Sequence, residues 1–238
     1  MPKLNWISDQ DLNNAVNHLL VKAKEAEEKV NKKFGKNVID PFSALFVMAG
    51  FGLNYSAWKK TEATRQAQKT LQNHVGEFHQ IVLGSVKGWE NLQTGNIVDL
   101  AASKHKILAE VKNKHNTISG GKLADLYYSL EGLVMPKNSV YKDFTAYYVA
   151  IIPRKSTRYN KEFTPPDKSK GAKCPKNRLI REIDGASFYD LVTGEKNALS
   201  QLYNKLPKVI EECTKGKYIF NDTKVLRSFF DTAFEDMD

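Results

Sequence analysis

Apolar residues first recur at helical spacing. After Ser8, the positions Leu12, Val16, Leu19, Ala23, Ala26 and Val30 share one face, which predicts a long helix capped by Ser8 and stopping near Phe34-Gly35. Asp40-Pro41 reads as the N-cap and first position of a short apolar helix. A third helix is predicted from about Thr61 to Val86, with Leu71, Val75, Phe78 and Val82 on its inner face. Past Gly88 and Gly95 the pattern changes. Ile97–Ala102 and Ile107–Lys112 are short apolar runs around Ser103-Lys104-His105-Lys106, which predicts a β-hairpin.

Gly120-Gly121 breaks the chain before LADLYYSLEGLV, which reads as a helix, and TAYYVAIIP at 145–153 reads as a buried strand. RLIREIDG then predicts a strand and SFYDLVTG a turn into a short helix. Residues 197–213 predict a leucine-rich helix kinked or interrupted at Pro207. Helices, then a hairpin, then strand–helix alternation give one α/β domain, with a mixed central sheet flanked by helices. Within it, residues 1–60 form a helical N-terminal part, 61–152 and 179–215 the core, and 153–178 a basic loop or insertion.

Composition narrows the class. With 238 residues, 41% of them hydrophobic, the chain can bury a sizeable core. No run approaches the ~20 apolar residues that span a bilayer; PFSALFVMAGFG at 41–52 is too short and is broken by glycine. The N-terminus lacks the apolar core of a signal peptide, and Cys174 and Cys213 form no metal or disulfide pattern. The expectation is a cytoplasmic protein without a membrane. Its net charge is +9, and residues 153–178 hold nine Lys and Arg against Glu162 and Asp167. Such a block suits a polyanion, although a solubilising loop has the same composition.

The hairpin carries the candidate chemistry. Strand alternation puts Glu110 and Lys112 on one face. If Ala102 pairs with Ile107, Asp99 falls opposite Glu110, where like charges destabilise the pair. A divalent cation such as Mg²⁺, held by one or two carboxylates, relieves that repulsion and accepts phosphate oxygens. Lys112 beside it can orient water or stabilise charge on a phosphate. A cation-free ion pair of Lys112 with both acids is the structural alternative.

DLAASKHKILAEVKNKHNT resembles the catalytic hairpin of type II restriction endonucleases of the PD-(D/E)xK superfamily, with Asp99, Glu110 and Lys112 matching its two acids and its lysine. Val98 stands where the nominal pattern has proline. EVKNKHNT, GGKLADLYYSLEG and IDGASFYDLVTG together look closest to the group that cuts GGNCC sites. The resemblance implies a restriction-endonuclease-like fold and a homodimer that cuts double-stranded DNA at a short palindromic site with Mg²⁺. It also implies functional pairing with a cognate DNA methyltransferase. Glu77 matches an upstream helical acid that would complete the metal shell.

Asn113, Lys114 and Asn116 continue from the hairpin toward a bound backbone. Arg154, Lys155, Arg158, Arg178 and Arg181 flank or lie in the basic segment as candidate DNA contacts, arginine being the preferred partner of guanine O6 and N7. Two rivals stay open on the residues alone: a repair or structure-selective nuclease of the same superfamily, and a DNA-binding protein without catalysis.

Overall fold

The computed structural model describes residues 2–234 apart from Gly35, Asn37, Thr94 and Gly120. The expected glycine stop at Gly35, the first residue of the Gly120-Gly121 break and the last four residues of the acidic tail lie outside the described residues. The chain divides into two units, Val16–Phe78 and Met1–Ala15 with His79–Asp238.

The smaller unit is helical. It contains most of α1 (Asp9–Lys33), all of α2 (Pro41–Phe51) and most of α3 (Tyr55–Gly84). Local capping explains where these begin. Ser8 Oγ accepts from Asp11 N at 3.0 Å, and Asp40 Oδ1 accepts from Phe42 N at 3.0 Å and Ser43 N at 3.2 Å. The third helix starts earlier than its apolar spacing indicates, because Asn54 Oδ1 caps it by accepting from Ala57 N at 2.9 Å. None of the residues of α2 is buried.

The larger unit is built on a six-stranded sheet. Its strands are β1 (Glu90–Asn91), β2 (Leu100–Ala102), β3 (Ile107–Lys114), β4 (Thr145–Ile152), β5 (Asn160–Glu162) and β8 (Ile180–Asp184), in the order β1-β2-β3-β4-β8-β5. The central pairs β3/β4 and β4/β8 are parallel, and the flanking pairs are antiparallel. Parallel neighbours need a crossover, which α4 (Lys122–Val134) supplies between β3 and β4. Its buried Tyr127, Leu130 and Val134 cluster with Leu108, Ala146 and Ile180 of the sheet. On the opposite face, α5 (Gly185–Thr193) brings Phe188 to 6.0 Å from Tyr147 and 5.7 Å from Trp89.

Several elements differ from the sequence pattern. SFYDLVT is itself the helix α5, started by Asp184, which accepts from Ser187 N at 2.8 Å, and ended at Gly194 with φ 74°. Helix α6 (Ala198–Cys213) runs through Pro207 unbroken, with Leu202 and Val209 buried on either side of the proline. Packing there outweighs one missing N–H donor. The basic segment is partly ordered as strands: β5 extends the sheet, and β6 (Pro166–Asp167) pairs with β7 (Ala172–Lys173). A further helix, α7 (Thr223–Phe234), buries Phe230 and Phe234, and the Phe230 ring lies 4.9 Å from Tyr203. Among the described residues no helix is long and apolar enough to cross a membrane.

The junction of β8 and α5 lies hard against β4. A Cβ on Gly185 would stand 2.6 Å from Ile151 Cα and closer still to its carbonyl oxygen. Gly185→Ala should therefore overpack the junction at a cost of about 1–3 kcal/mol, lowering Tm by roughly 3–10 °C. Differential scanning calorimetry checks this, and an unchanged Tm would show that the helix and strand can separate at no cost.

Candidate active site

The hairpin adopts the expected register, with Ala102 opposite Ile107, Ala101 opposite Leu108 and Leu100 opposite Ala109. The ladder then ends. Asp99 does not continue it as a simple cross-strand partner of Glu110; its carbonyl accepts instead from Leu92 N at 2.9 Å. Asp99 N donates to Ala109 O at 2.9 Å, and Asp99 Oδ2 accepts from Val111 N at 2.7 Å. The residue thus grips β3 on both sides of Glu110. One grip is main chain and the other is side chain.

Lys112 completes the cluster. Its Nζ lies 2.5 Å from Glu110 Oε1 and 3.8 Å from Asp99 Oδ2. Glu110 is the most enclosed of the three, with 13% of its side chain exposed. Burial, and then the charge of Asp99, push the Glu110 carboxyl up to about 7, with Lys112 opposing both. A proton on Glu110, favoured also by the nearby Asp99 carboxylate, relieves the repulsion between the acids. A cation would do the same.

The donor set fits a hard divalent ion that keeps water. Among the described residues no group of three His, Cys, Asp or Glu side chains could hold a metal. Asp99 and Glu110 would supply two carboxylates, leaving further positions to water and phosphate oxygens, which is the usual pattern for Mg²⁺.

Glu77 belongs to the other unit. There its Oε2 lies 2.8 Å from His74 Nδ1 and its Oε1 3.1 Å from His18 Nε2. Burial pushes Glu77 up, but the His74 hydrogen bond and the charge of His18 outweigh it and hold the carboxyl below its ordinary value. One turn further along α3, Gln80 Nε2 donates to Val111 O at 3.4 Å and so touches the strand that bears the cluster.

The other expected contacts separate into groups. Asn113 Oδ1 is buried with no hydrogen-bond partner among the described residues, while Lys114 and Asn116 are exposed. Arg154 and Lys155 line a cleft of about 860 Å³. Arg178 is exposed. Arg158 is engaged inside the fold, with Asp190 at 2.9 Å and Asn197 at 3.1 Å. Arg181 donates to the Asn160 side chain at 2.6 Å and to its carbonyl at 2.7 Å. Sequence reasoning missed Tyr148 and Glu182, which line the same cleft. The register places them in one row, Glu110, Tyr148, Glu182 and Lys161, across β3, β4, β8 and β5. The sole signal for Glu182 was an acid amid the apolar residues of RLIREIDG, and strand order was needed to locate it.

The family described as Eco47II restriction endonuclease matches residues 4–215. The type II restriction enzyme Eco47II of Escherichia coli is 54% identical over 211 residues, covering 89% of this chain and 88% of that protein. The type II restriction enzyme Sau96I of Staphylococcus aureus is 33% identical over 219 residues, covering 90% of this chain and 82% of that protein.

The raised Glu110 value has a thermodynamic signature. Because it lies above the ordinary 4.5, the folded metal-free protein holds more protons than the unfolded chain between 4.5 and about 7. The stability contributed by this group is full below 4.5 and is lost as pH rises through about 7. Urea unfolding in chelator at pH 5 and pH 8 should show wild type losing on the order of 3 kcal/mol more than Glu110→Gln. Equal losses in the two proteins would mean that Glu110 titrates as an ordinary carboxylate.

Proposed function

The chain belongs to the Eco47II restriction endonuclease family, and on that footing we propose that it acts as a Mg²⁺-dependent homodimer that cuts both strands of double-stranded DNA at a short palindrome of the GGNCC type. Asp99, Glu110 and Lys112 are its cleavage centre. The observation that carries this reading is the convergence of the three: one carboxylate on β3 and one just before β2, hydrogen-bonded to β3, with one ammonium against both.

When bound, a divalent cation polarises the scissile phosphate and lowers the pKa of a coordinated water. The chain's own groups do the positioning. Asp99 and Glu110 would hold the cation, and Val111 N fixes the Asp99 carboxylate in place. Lys112 Nζ, between the acids, orients the attacking water and meets the charge that develops on the phosphate oxygens. The water oxygen bonds to phosphorus as the P–O3′ bond breaks, which leaves a 5′-phosphate and a 3′-hydroxyl. Arg154, Lys155, Lys114 and Asn116 are exposed groups placed to meet the duplex, and Arg158 and Arg181 brace the segment that presents the first two. Cutting unmodified sites calls for a methyltransferase that protects the same sequence in the host.

Helix α2 supports the dimer. Phe42, Leu45, Phe46 and Phe51 are all more than 60% exposed, and no charged residue occurs between Pro41 and Trp58. Two copies, each with net charge +9, meet at least electrostatic cost on an uncharged face. A two-fold contact must also be self-complementary, which apolar side chains satisfy against themselves.

Asp99→Asn keeps an oxygen for Val111 N but removes the charge. It and Lys112→Ala should each cut at least about 10²-fold more slowly, while binding the specific duplex in a gel shift without metal. Either variant cutting at the wild-type rate would remove that residue from the centre. Phe46→Asp combined with Leu45→Asp should sediment as a folded monomer; a dimer unaffected by both changes would place the contact elsewhere.

A further inference from the structure

The cleft beside the cleavage centre contains a group that phosphate binding does not call for. Arg154, Lys155, Lys161 and Lys173 make its lining basic, and Glu182 is the one carboxylate among the described residues that line it. A carboxylate in a phosphate trough weakens the trough. Its presence points to a ligand that offers a hydrogen-bond donor.

We propose that this cleft reads a cytosine through Glu182, an inference that rests on the endonuclease reading above. In the major groove cytosine presents the N4 amino group as a donor, whereas guanine presents the acceptors N7 and O6, and thymine an acceptor with a methyl group. Adenine sets its N6 donor beside the acceptor N7. A carboxylate therefore accepts from cytosine and repels the edges of guanine and thymine. Arg154 and Lys155, in the same cleft, supply the donors that the paired guanine needs at O6 and N7.

The position of Glu182 fits this task. It shares a row with Glu110, with Tyr148 between them. Neighbouring strands lie about 4.8 Å apart, so the two backbones are separated by about 10 Å. The major groove is about 8.5 Å deep, so a duplex whose phosphate sits at Glu110 offers base edges at the range of Glu182. The Glu182 side chain is one quarter exposed and has Lys161 Nζ 3.3 Å away as counter-charge. Burial, and then the charge of Glu182, push the Tyr148 hydroxyl up to about 12 and raise Tyr159 as well. Both hydroxyls therefore stay protonated and add neutral donors to the wall.

The test uses the site obtained by sequencing the ends the enzyme produces, rebuilt as synthetic duplexes with one base pair changed at a time. Wild type, Glu182→Gln and Lys161→Gln are compared by cleavage rate on each duplex, with Tm as the control for folding. Each change should slow wild type by about 5- to 150-fold. In Glu182→Gln the penalty at one C·G pair of each half-site, the two related by the two-fold, should fall below about 3-fold, with the other penalties retained. Uniform slowing on every duplex, or the same pattern from Lys161→Gln, would overturn the assignment and leave Glu182 as half of an ion pair. If Glu182→Gln unfolds, Glu182→Asp is read against the same expectation, its penalty reduced at those two symmetry-related pairs alone. Wild type cutting with no sequence preference would overturn the endonuclease reading and this inference together, and would be visible before any variant is made.

Discussion

Two carboxylates held beside each other, with one ammonium to balance them, set the terms for the larger unit. Unit charges about 4 Å apart at an effective dielectric of about 20 interact by about 4 kcal/mol. That is a large fraction of the stability of a domain. The sheet tolerates it because Lys112 lies against both acids and Glu110 readily takes a proton. Both are substitutes for a cation. The metal-free protein is therefore strained in a specific way, and under the proposed function that strain would be relieved by the ion the cleavage uses.

The grip of Asp99 on β3 is what prevents the acids from moving apart. An ordinary hairpin would have carried the ladder past Leu100 and spent the backbone of residue 99 on Glu110. Here the main chain of Asp99 holds Ala109 and its carboxylate holds Val111, the residues on either side of Glu110. A side chain replaces a ladder bond, and in doing so it is fixed to within a hydrogen bond's tolerance. On the other edge of β3 the parallel pairing with β4 locks the same three residues from behind. Glu110 and Lys112 rest on β3, where positioning is tight, and Asp99, one residue before β2, is tied to that strand by its own hydrogen bonds.

This explains why the sequence made some features legible and not others. The hairpin register followed from four connecting residues and the alternation on either side, and the Asp40 and Ser8 caps follow from contacts two or three residues away. Local rules were sufficient there. The bend at Asp99 depends on Leu92, and the engagement of Arg158 depends on Asp190 and Asn197, more than thirty residues along the chain. Composition marked 153–178 as basic, but β5 pairing with β8 turns part of that segment into the sheet's edge and takes up Arg181 through Asn160. Glu182 has only a faint local signature, an acid beside apolar residues in RLIREIDG. Its meaning comes from standing two strands from Glu110, and strand order is not written in any short stretch.

Under the proposed roles of Glu110 and Glu182, the row Glu110, Tyr148, Glu182 and Lys161 would couple cutting to reading. Side chains on adjacent strands of one sheet face keep fixed separations, because the backbone ladder between them does not stretch. A base held at one end of the row therefore fixes where the phosphate lies at the other. An ill-fitting base need not be expelled to prevent cleavage; it need only shift the duplex by about an ångström, since misplacement on that scale already costs about 10²-fold in rate. Selectivity in cutting can then exceed selectivity in binding without any moving part, through the rigidity of two hydrogen-bonded strand pairs.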